Sequence, residues 1–439
     1  MAVIQNIWWM LVLIGIMILI HELGHYWAAR WFDVHVEAFS FGFGPRLFGF
    51  RRGETDFRVS LIPFGGYVKM TGEQPGEEGG EDPRGFLAKP RWQRMIIAFA
   101  GPAMNIILAV GLLTGLYMNR FPKVVGSDAP PTIGFVEKES AAAKAGVQEM
   151  DVIVSIDGKQ NPNWEEVTLT VVGAASREVP MVLNRHGQQV ITTLTPVTDD
   201  RTGVGDAGWY DLHEIQVGAV SPGMGAEKAG LKSGDVLVAL DGVPLRSTAK
   251  LHALLKEGAG KPVQLTYSRD GKQNTVPVQP KLTDLDAKTK RYLLGVQLTP
   301  RITFVQLPIG EAMSESVKQN QRSAGLILQF LRGIVERRMS PKSLEGPIGI
   351  ARLSSEAARE GVATFIGLMA AVSLNLAIFN LLPVPILDGG TILMLLIEMI
   401  MRRDMSLELK ENIFKLGFVF LMMVVAFVLY NDISKLLPS

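Results

Sequence analysis

Four long runs of hydrophobic residues, separated by polar stretches, organise the chain. They cover about residues 7–32, 92–117, 362–382 and 413–430. Each run is close to the roughly 20 residues that a helix needs to cross a bilayer. A fifth apolar segment, at 390–401, is short for a span, so it could be a re-entrant or interfacial helix. The pattern therefore predicts a polytopic α-helical membrane protein with four transmembrane helices.

The orientation of these helices is predicted from basic residues in the short loops beside them. No Lys or Arg precedes Arg30, which also predicts that the first run is a retained helix rather than a cleaved signal peptide. The loop between runs one and two and the loop between runs three and four should be cytoplasmic, because both are basic. The termini and the long segment between runs two and three then lie outside. The basic residues used for this prediction are Arg30, Arg46, Arg51, Arg52, Arg58, Lys89, Arg91 and Arg94 in and beside the first loop, and Arg402, Arg403, Lys410 and Lys415 in the second.

The composition indicates membrane helices combined with soluble domains. The 439 residues have a mean hydropathy of +0.21, and 20% of them are charged. That is too apolar for an ordinary soluble protein and too polar for a protein that lies entirely in the membrane. The net charge of +1 gives no reason to expect a nucleic-acid partner. The sequence has no Cys, so any transition-metal site must use His, Asp or Glu.

The external segment contains an internal repeat with a constant offset of 84 residues. Residues 142–158 read AAKAGVQEMDVIVSIDG, and residues 226–242 read AEKAGLKSGDVLVALDG. Each copy reads as a short helix, a turn, a strand and an Asp-Gly turn into the next strand. The pattern predicts two α+β domains, at about 130–207 and 214–299, and it resembles PDZ domains of the bacterial type.

A PDZ domain binds an extended peptide as an added strand. The candidate peptide-binding strands lie near Ile133–Val136 and 216–220. The alternative is that the two domains are spacers or gates that bind no peptide.

The remaining polar stretches connect these parts. A cytoplasmic β region is predicted at 34–70, as a membrane-associated hairpin or sheet, and 73–82 reads as an acidic, glycine-rich loop. An amphipathic connector at 300–345 should lead back to the bilayer. The membrane domain is therefore divided into residues 1–118 and 346–439.

The first apolar run contains an HExxH motif, which reads His21-Glu22-Leu23-Gly24-His25. Residues i and i+4 share one face of a helix, so both imidazoles can reach one metal ion, while the Glu can act on water at the metal. Ionisable residues inside an apolar helix are costly unless they serve a purpose. The motif therefore predicts a metal site, and the alternative is a pair of satisfied buried histidines.

Zinc needs a third protein ligand, and a carboxylate is expected because Trp31 occupies the position where the commonest soluble pattern has a further His. The best candidate is Asp388, which follows the third run in the sequence NLLPVPILDGG. The prolines of this segment break the helix, which is tolerated in the membrane at a site buried in protein. An LDGG sequence is also a common turn, and this reading remains the alternative for Asp388.

Together these motifs resemble the site-2 protease family of intramembrane zinc metalloproteases, and the two PDZ-like repeats resemble its bacterial RseP-like subgroup. HExxH in the first span and N-x-x-P-x-x-x-x-D-G after the third carry the resemblance, which covers nearly the whole chain. One departure is Thr391, where many relatives have His. Further matching segments are Gly42-Phe43-Gly44-Pro45, Gly65-Gly66-Tyr67-Val68-Lys69-Met70, Gly101-Pro102-Ala103-Met104-Asn105 and Gly346-Pro347-Ile348.

The resemblance implies a role for each site residue. It implies that Zn²⁺ is bound by His21, His25 and Asp388, and that Glu22 is the catalytic base. Asn380 would hold the substrate or stabilise the oxyanion, and Asn105 is a weaker candidate for a similar role. Residues Gly65, Gly66 and Tyr67 belong to the β stretch that could pair with an extended substrate as an added strand.

The resemblance also implies the biological setting. Members of this subgroup lie in the bacterial inner membrane and cut pre-trimmed single-span proteins, such as anti-sigma factors in envelope stress, as well as remnant signal peptides. The external PDZ-like pair would then exclude substrates that carry bulky external domains.

The depth of the metal site in the bilayer can be estimated from the helix rise. His21 lies about 14 residues into a helix that starts outside, or roughly 21 Å down, so the zinc should lie in the cytoplasmic half of the bilayer.

Two other functions compete with a protease. One is a non-catalytic zinc-binding membrane scaffold that holds partners through PDZ-like domains, and Glu22 argues against it because a scaffold needs no general base. The other is a metal transporter, which usually repeats its membrane halves. Here the repeat lies in the predicted external segment instead.

Overall fold

The structure is a computed structural model, and it describes residues 2–73, 82–119, 121–198, 204–284, 290–336 and 346–436. The predicted loop at 73–82 and the end of the predicted connector at 300–345 fall largely outside the described residues. The chain divides into two compact units. The first unit comprises Met1–Phe121, Gln306–Leu328 and Leu344–Ser439, and the second comprises Pro122–Val305 and Gln329–Ser343.

The described residues form long helices, most of them strongly apolar, and several short ones. Four of them are long and apolar enough to cross a membrane, over Ile4–Trp31, Arg91–Met118, Val362–Asn380 and Glu408–Ser434. The short apolar segment after the third forms a helix of its own, α10. In chain order the helices are α1 Ala2–Trp31, α2 Arg91–Met118, α3 Ala141–Lys144, α4 Trp164–Val172, α5 Gly225–Lys228, α6 Thr248–Glu257, α7 Ile309–Val335, α8 Pro347–Glu360, α9 Val362–Asn380, α10 Asp388–Met401 and α11 Leu407–Leu436.

The strands belong to one bent hairpin in the first unit and to several small antiparallel sheets that lie mostly in the second. In chain order they are β1 Val36–Arg52, β2 Thr55–Met70, β3 Phe121–Val124, β4 Ile133–Val136, β5 Val152–Ile156, β6 Lys159–Gln160, β7 Val179–Arg185, β8 Gln188–Leu194, β9 Val197–Thr198, β10 Gly205–Asp206, β11 Trp209–Asp211, β12 Ile215–Val220, β13 Val236–Leu240, β14 Val243–Pro244, β15 Val263–Arg269, β16 Lys272–Val278, β17 Lys281–Asp284, β18 Lys290–Leu293, β19 Val296–Pro300 and β20 Ile302–Val305.

In the first unit, α1 packs against α2, α8 and the β1–β2 hairpin, while α9 and α10 pack against α2. Leu13 and Met17 of α1 are fully buried beside Phe365 and Met369 of α9. Burying large side chains of this kind stabilises a fold by about 1.5–3 kcal/mol each in water, whereas packing and polar contacts carry more of the association inside lipid. The helices that carry His21, His25, Asn105 and Asn380, namely α1, α2 and α9, therefore share one core.

The β1–β2 hairpin bends so that part of β1 is paired on both sides. Phe39 lies opposite both Val68 and Phe57, and the neighbouring residues of β1 show the same double pairing. As a result, the end of β2 from Gly66 to Met70 lies at the edge of a small sheet, whereas residues 56–59 lie inside it. Beyond the doubly paired segment the hairpin exposes large apolar side chains, namely Phe43, Leu47, Phe48, Phe50, Leu61 and Ile62.

The sheets of the second unit repeat the offset seen in the sequence. Strands β5, β7 and β8 correspond to β13, β15 and β16, and helix α4 corresponds to α6. Each copy has its own apolar core. Each copy also buries one carboxylate that accepts two hydrogen bonds from an arginine: Asp151 from Arg185, and Asp235 from Arg269 at 2.6 and 2.7 Å. This sheet-rich region is consistent with PDZ-like domains.

The structure narrows the part of each predicted peptide-binding strand that could accept an added strand. At Ile215 and Gln216, strand β12 is paired with β13 on one side and with β19 on the other. Strand β4 pairs with β11, while the backbone of Ile133 on its other side bonds to residues 150 and 151. Both predicted strands are thus paired on both sides where they begin, because the last strand of each copy returns to the sheet beside the first. Among the described strands, β11 and β19 lie at the ends of their sheets, as do β8 and β16.

Candidate metal centre

Helix α1 brings His21 and His25 onto one face, one turn apart. Their imidazole rings meet edge to face, with centroids 4.8 Å apart, and their Nε2 atoms are 3.2 Å apart. His21 is buried, with 7% of its surface exposed. The i, i+4 spacing of the motif is what places the two Nε2 atoms together.

Asp388 reaches this pair from a tight turn between α9 and α10. Leu381 ends α9, and the chain reverses so that Asp388 is the first residue of α10. The two glycines after Asp388 are needed for this reversal: an ideal Cβ at Gly389 would lie 2.3 Å from the Leu381 carbonyl, and one at Gly390 would lie 2.2 Å from the Val384 carbonyl oxygen. The PVPILDGG sequence therefore builds a compact turn that presents the carboxylate.

The three side chains form a constellation that fits a metal ion. One ligand atom from each of His21, His25 and Asp388 lies within 4.8 Å of the others. His21 Nε2 is 3.2 Å from Asp388 Oδ2, and His25 Nε2 is 3.5 Å from Asp388 Oδ1. Asp388 Oδ2 is nevertheless buried without accepting a hydrogen bond from any described residue. A buried oxygen without a proton donor, facing two imidazole nitrogens, is the donor set expected of a zinc site.

Helix α2 holds the two imidazoles in place from the side. The carbonyl oxygen of Ile97 lies 2.8 Å from His25 Nδ1, which directs Nε2 of the same ring toward Asp388. The two helices approach closely at glycines: an ideal Cβ at Gly24 would lie 2.3 Å from the Ala100 carbonyl oxygen, and one at Gly101 would lie 2.3 Å from His25 Nε2. Sequence reasoning gave no role to Ile97 or Gly101, because a contact between helices leaves no periodic signal in either one.

Glu22 lies between the two histidines in sequence and faces the β hairpin. An ideal Cβ at Gly66 would lie 3.0 Å from Glu22 Cγ and 2.9 Å from the side chain of Ile18. The edge segment of β2 therefore runs directly past the Glu22 side chain.

The other predicted substrate residues of β2 have different surroundings. Gly65 has a φ of +111°, and an ideal Cβ there would lie 2.1 Å from the Phe43 ring, so a glycine is required. The Tyr67 ring is stacked on Phe43 and lies under the Arg58 guanidinium. The structure thus places Gly66 beside Glu22, whereas Gly65 and Tyr67 pack within the hairpin.

The two asparagines contact different nitrogens of His21. Asn380 Nδ2, at the end of α9, is 3.3 Å from His21 Nε2, on the side where the proposed ligand atoms meet. Asn105 Nδ2, in α2, is 3.2 Å from His21 Nδ1, on the other side of the ring. Asn105 is fully buried, and its carboxamide lies on the opposite side of the His21 ring from Asn380.

The chain matches one protein-family model over most of its length. The model described as peptidase family M50 matches residues 9–424. The chain belongs to peptidase family M50. This is the site-2 protease family, and its model spans the HExxH helix, the sheet-rich region and the Asp388 turn in one match.

Relatives that align with nearly the whole chain carry names that describe proteases, most of them zinc metalloproteases. The chain is 33% identical to a provisionally named zinc metalloprotease of Neisseria meningitidis, over 96% of this chain and 97% of that protein. It is 31% identical to another of Xylella fastidiosa, over 98% of this chain and 99% of that one. It is 29% identical to the regulator of sigma-E protease RseP of Salmonella typhimurium, over 99% of this chain and 100% of that protein. The M50 family and these names indicate a zinc-dependent protease.

Replacing Gly101 by Ala should disrupt this metal centre. The new methyl group would lie 2.3 Å from His25 Nε2, so the imidazole must move away from Asp388. We expect bound zinc to fall by at least about tenfold in affinity, as metal sites lose when a ligand is misplaced. Zinc content after purification, and zinc affinity in competition with a chromophoric chelator, would measure the loss.

Gly111→Ala in the same helix is the matched control, because an ideal Cβ there has no neighbour within 4 Å. It should bind zinc as the unmodified protein does. Equal zinc affinity for Gly101→Ala and the unmodified protein would contradict the close approach of α2 to His25.

Proposed function

We propose that this protein is an intramembrane zinc endopeptidase that hydrolyses peptide bonds in the transmembrane segments of single-span membrane proteins. The observation that carries the proposal is the convergence of Asp388 with His21 and His25, which lie on a helix long enough to span a membrane. Glu22 of the same helix lies against the edge segment of β2. A binding site alone would need neither a general base nor an edge for an extended chain.

Zinc would be held by Nε2 of each histidine and by the Asp388 carboxylate, which leaves a coordination position open as catalytic zinc sites require. The donor set supports zinc over calcium or magnesium, because imidazole nitrogens suit zinc and those ions prefer oxygen. When bound, zinc supplies a Lewis acid that polarises the scissile carbonyl and makes water more acidic.

Glu22 and Asn380 would do the remaining chemistry. Glu22 takes the proton from the attacking water and delivers it to the leaving amine, the role of the glutamate in HExxH peptidases. The Asn380 side-chain amide lies close to His21 Nε2 and can donate a hydrogen bond to the carbonyl oxygen as negative charge develops there. Both side chains approach the centre from elements separate from the Asp388 turn.

The substrate would bind as an extended strand. A helical peptide shields its carbonyls by hydrogen bonding, so it must unwind before water can attack. The edge segment of β2 at Gly66 to Val68 pairs with β1 on one side and runs past Glu22 on α1, and strand addition there would present the scissile bond to the base. Pairing with the sheet also replaces the backbone hydrogen bonds that unwinding removes, which matters in a membrane.

We further propose that the protein lies in a bacterial inner membrane with both termini outside. The basic loops at 33–90 and 402–415 support a cytoplasmic location for these two segments. Residues 130–207 and 214–299 would then form two PDZ-like domains in the periplasm. The proposed substrates are pre-trimmed single-span proteins of the anti-sigma factor type and remnant signal peptides, and the similarity to the protein named regulator of sigma-E protease supports this class.

Glu22→Gln should abolish cleavage and leave the metal in place. The amide cannot accept the proton, so we expect the initial rate on a single-span substrate, with its external domain removed, to fall at least about 100-fold. Purified protein in detergent would be compared with the same protein after chelation and after zinc is restored. Glu356→Gln, an exposed position on α8, is the control and should cut at the unmodified rate. Cleavage that persists in Glu22→Gln would remove Glu22 from the mechanism.

A substrate that unwinds more readily should be cut faster. Two glycines in place of two alanines near the scissile bond weaken the substrate helix by about 2 kcal/mol. We expect an initial rate roughly tenfold higher for the glycine substrate, measured with substrate well below saturation. Equal rates for the two substrates would speak against binding as an added strand.

The predicted membrane orientation can be tested by labelling single introduced cysteines, because the sequence contains no other cysteine. Ser127→Cys, in the sheet-rich unit, should react with a membrane-impermeant maleimide in intact spheroplasts. Arg403→Cys, in the loop after α10, should react only after lysis. The reverse pattern would invert the proposed topology.

A further inference from the structure

The two ring nitrogens of His21 have different surroundings. Nε2 points toward His25, Asp388 and Asn380. Nδ1 points the opposite way, toward Asn105 in α2. An imidazole that binds a metal through Nε2 must carry its remaining proton on Nδ1. Nδ1 of His21 therefore needs a hydrogen-bond acceptor.

The Asn105 carboxamide is the group that can supply one. Asn105 has no exposed surface, and its amide group is 3.2 Å from His21 Nδ1. Its Nδ2 faces the ring, while its Oδ1 is buried without a hydrogen-bond partner among the described residues. An unsatisfied buried amide oxygen costs about 1–3 kcal/mol. A half turn of the carboxamide removes that cost, because Oδ1 then accepts the Nδ1–H bond.

The backbone around Asn105 is itself fixed. Ser373 of α9 donates a hydrogen bond of 2.8 Å to the Asn105 carbonyl oxygen. Three residues earlier in α2, Pro102 lies beside Gly101, which approaches His25. His25 has an acceptor of the same kind, since the Ile97 carbonyl oxygen lies 2.8 Å from its Nδ1. Both proposed histidine ligands thus face an oxygen-bearing group of α2 behind the ring.

We propose that Asn105 is a positioning residue whose Oδ1 accepts the Nδ1–H of His21 and thereby directs the Nε2 lone pair to the metal. The inference rests on the proposed zinc site. It differs from a substrate-binding role, which would require Asn105 to reach the substrate and to donate through Nδ2. The full burial of Asn105 behind the ring favours the acceptor role.

Three variants of the full-length protein in detergent separate these roles. Asn105→Leu keeps a similar volume and removes the acceptor, so zinc affinity should fall by about 10- to 100-fold. Asn105→Asp keeps an acceptor but cannot donate, so zinc affinity should stay within a few-fold of the unmodified protein. Ser373→Ala removes the neighbouring helix contact and leaves the carboxamide, so its zinc affinity should also be unchanged. Zinc affinity is measured by competition with a chromophoric chelator, and the absorption spectrum of the Co²⁺-substituted protein reports the ligand geometry.

The outcomes are distinct. We expect the unmodified protein, Asn105→Asp and Ser373→Ala to bind zinc with similar affinity. Asn105→Leu should bind zinc much more weakly than all three. Equal losses in Asn105→Asp and Asn105→Leu would overturn the acceptor role, as would a loss in Ser373→Ala equal to that in Asn105→Leu. Unchanged affinity in Asn105→Leu would overturn it as well. If the unmodified protein binds no zinc, the proposed function itself fails, and that result is visible before any variant is compared.

Discussion

The structure depends on how polar groups are accommodated inside apolar helices. Two imidazoles and two carboxylates meet where α1, α2 and the Asp388 turn pack together, and each would be costly there without a partner. The cost is reduced by close packing, because glycines at positions 24 and 101 let α2 approach near enough for its backbone and Asn105 to contact the two rings. A shared metal ion would supply the partner that Asp388 Oδ2 lacks among the described residues.

The same arrangement explains why a β hairpin lies against a membrane helix. Cleavage of a helical substrate requires both a base and a place where an unwound backbone can be paired. The edge of β2 meets α1 at Gly66, next to Glu22, so the two requirements coincide in space. The double pairing of β1 makes this edge part of a small sheet rather than an isolated hairpin, which is marginally stable by itself. The hairpin is thus an extension of the proposed site.

The sequence predicted most readily what periodicity and motif spacing encode. The apolar runs give the long helices, the i, i+4 spacing gives the histidine pair, and the 84-residue offset recurs in the strands of the second unit. The sequence could not predict the contacts between elements that are distant along the chain. The approach of Gly101 to His25 depends on helix packing, and the enclosed positions of β4 and β12 depend on which later strand returns to the sheet. The resemblance gave Asn105 as a weaker candidate for holding the substrate, but the sequence could not predict on which side of the His21 ring it lies.

The most direct test of the central claim is zinc X-ray absorption spectroscopy on the full-length protein, purified without chelators. The account predicts one zinc per chain, with two imidazole nitrogens at about 2.0–2.1 Å and the remaining ligands oxygen at about 2.0–2.2 Å. In His25→Ala the imidazole contribution should fall by half, with zinc bound more weakly. A protein that carries no zinc, or zinc whose imidazole ligands are unchanged in His25→Ala, would contradict the account.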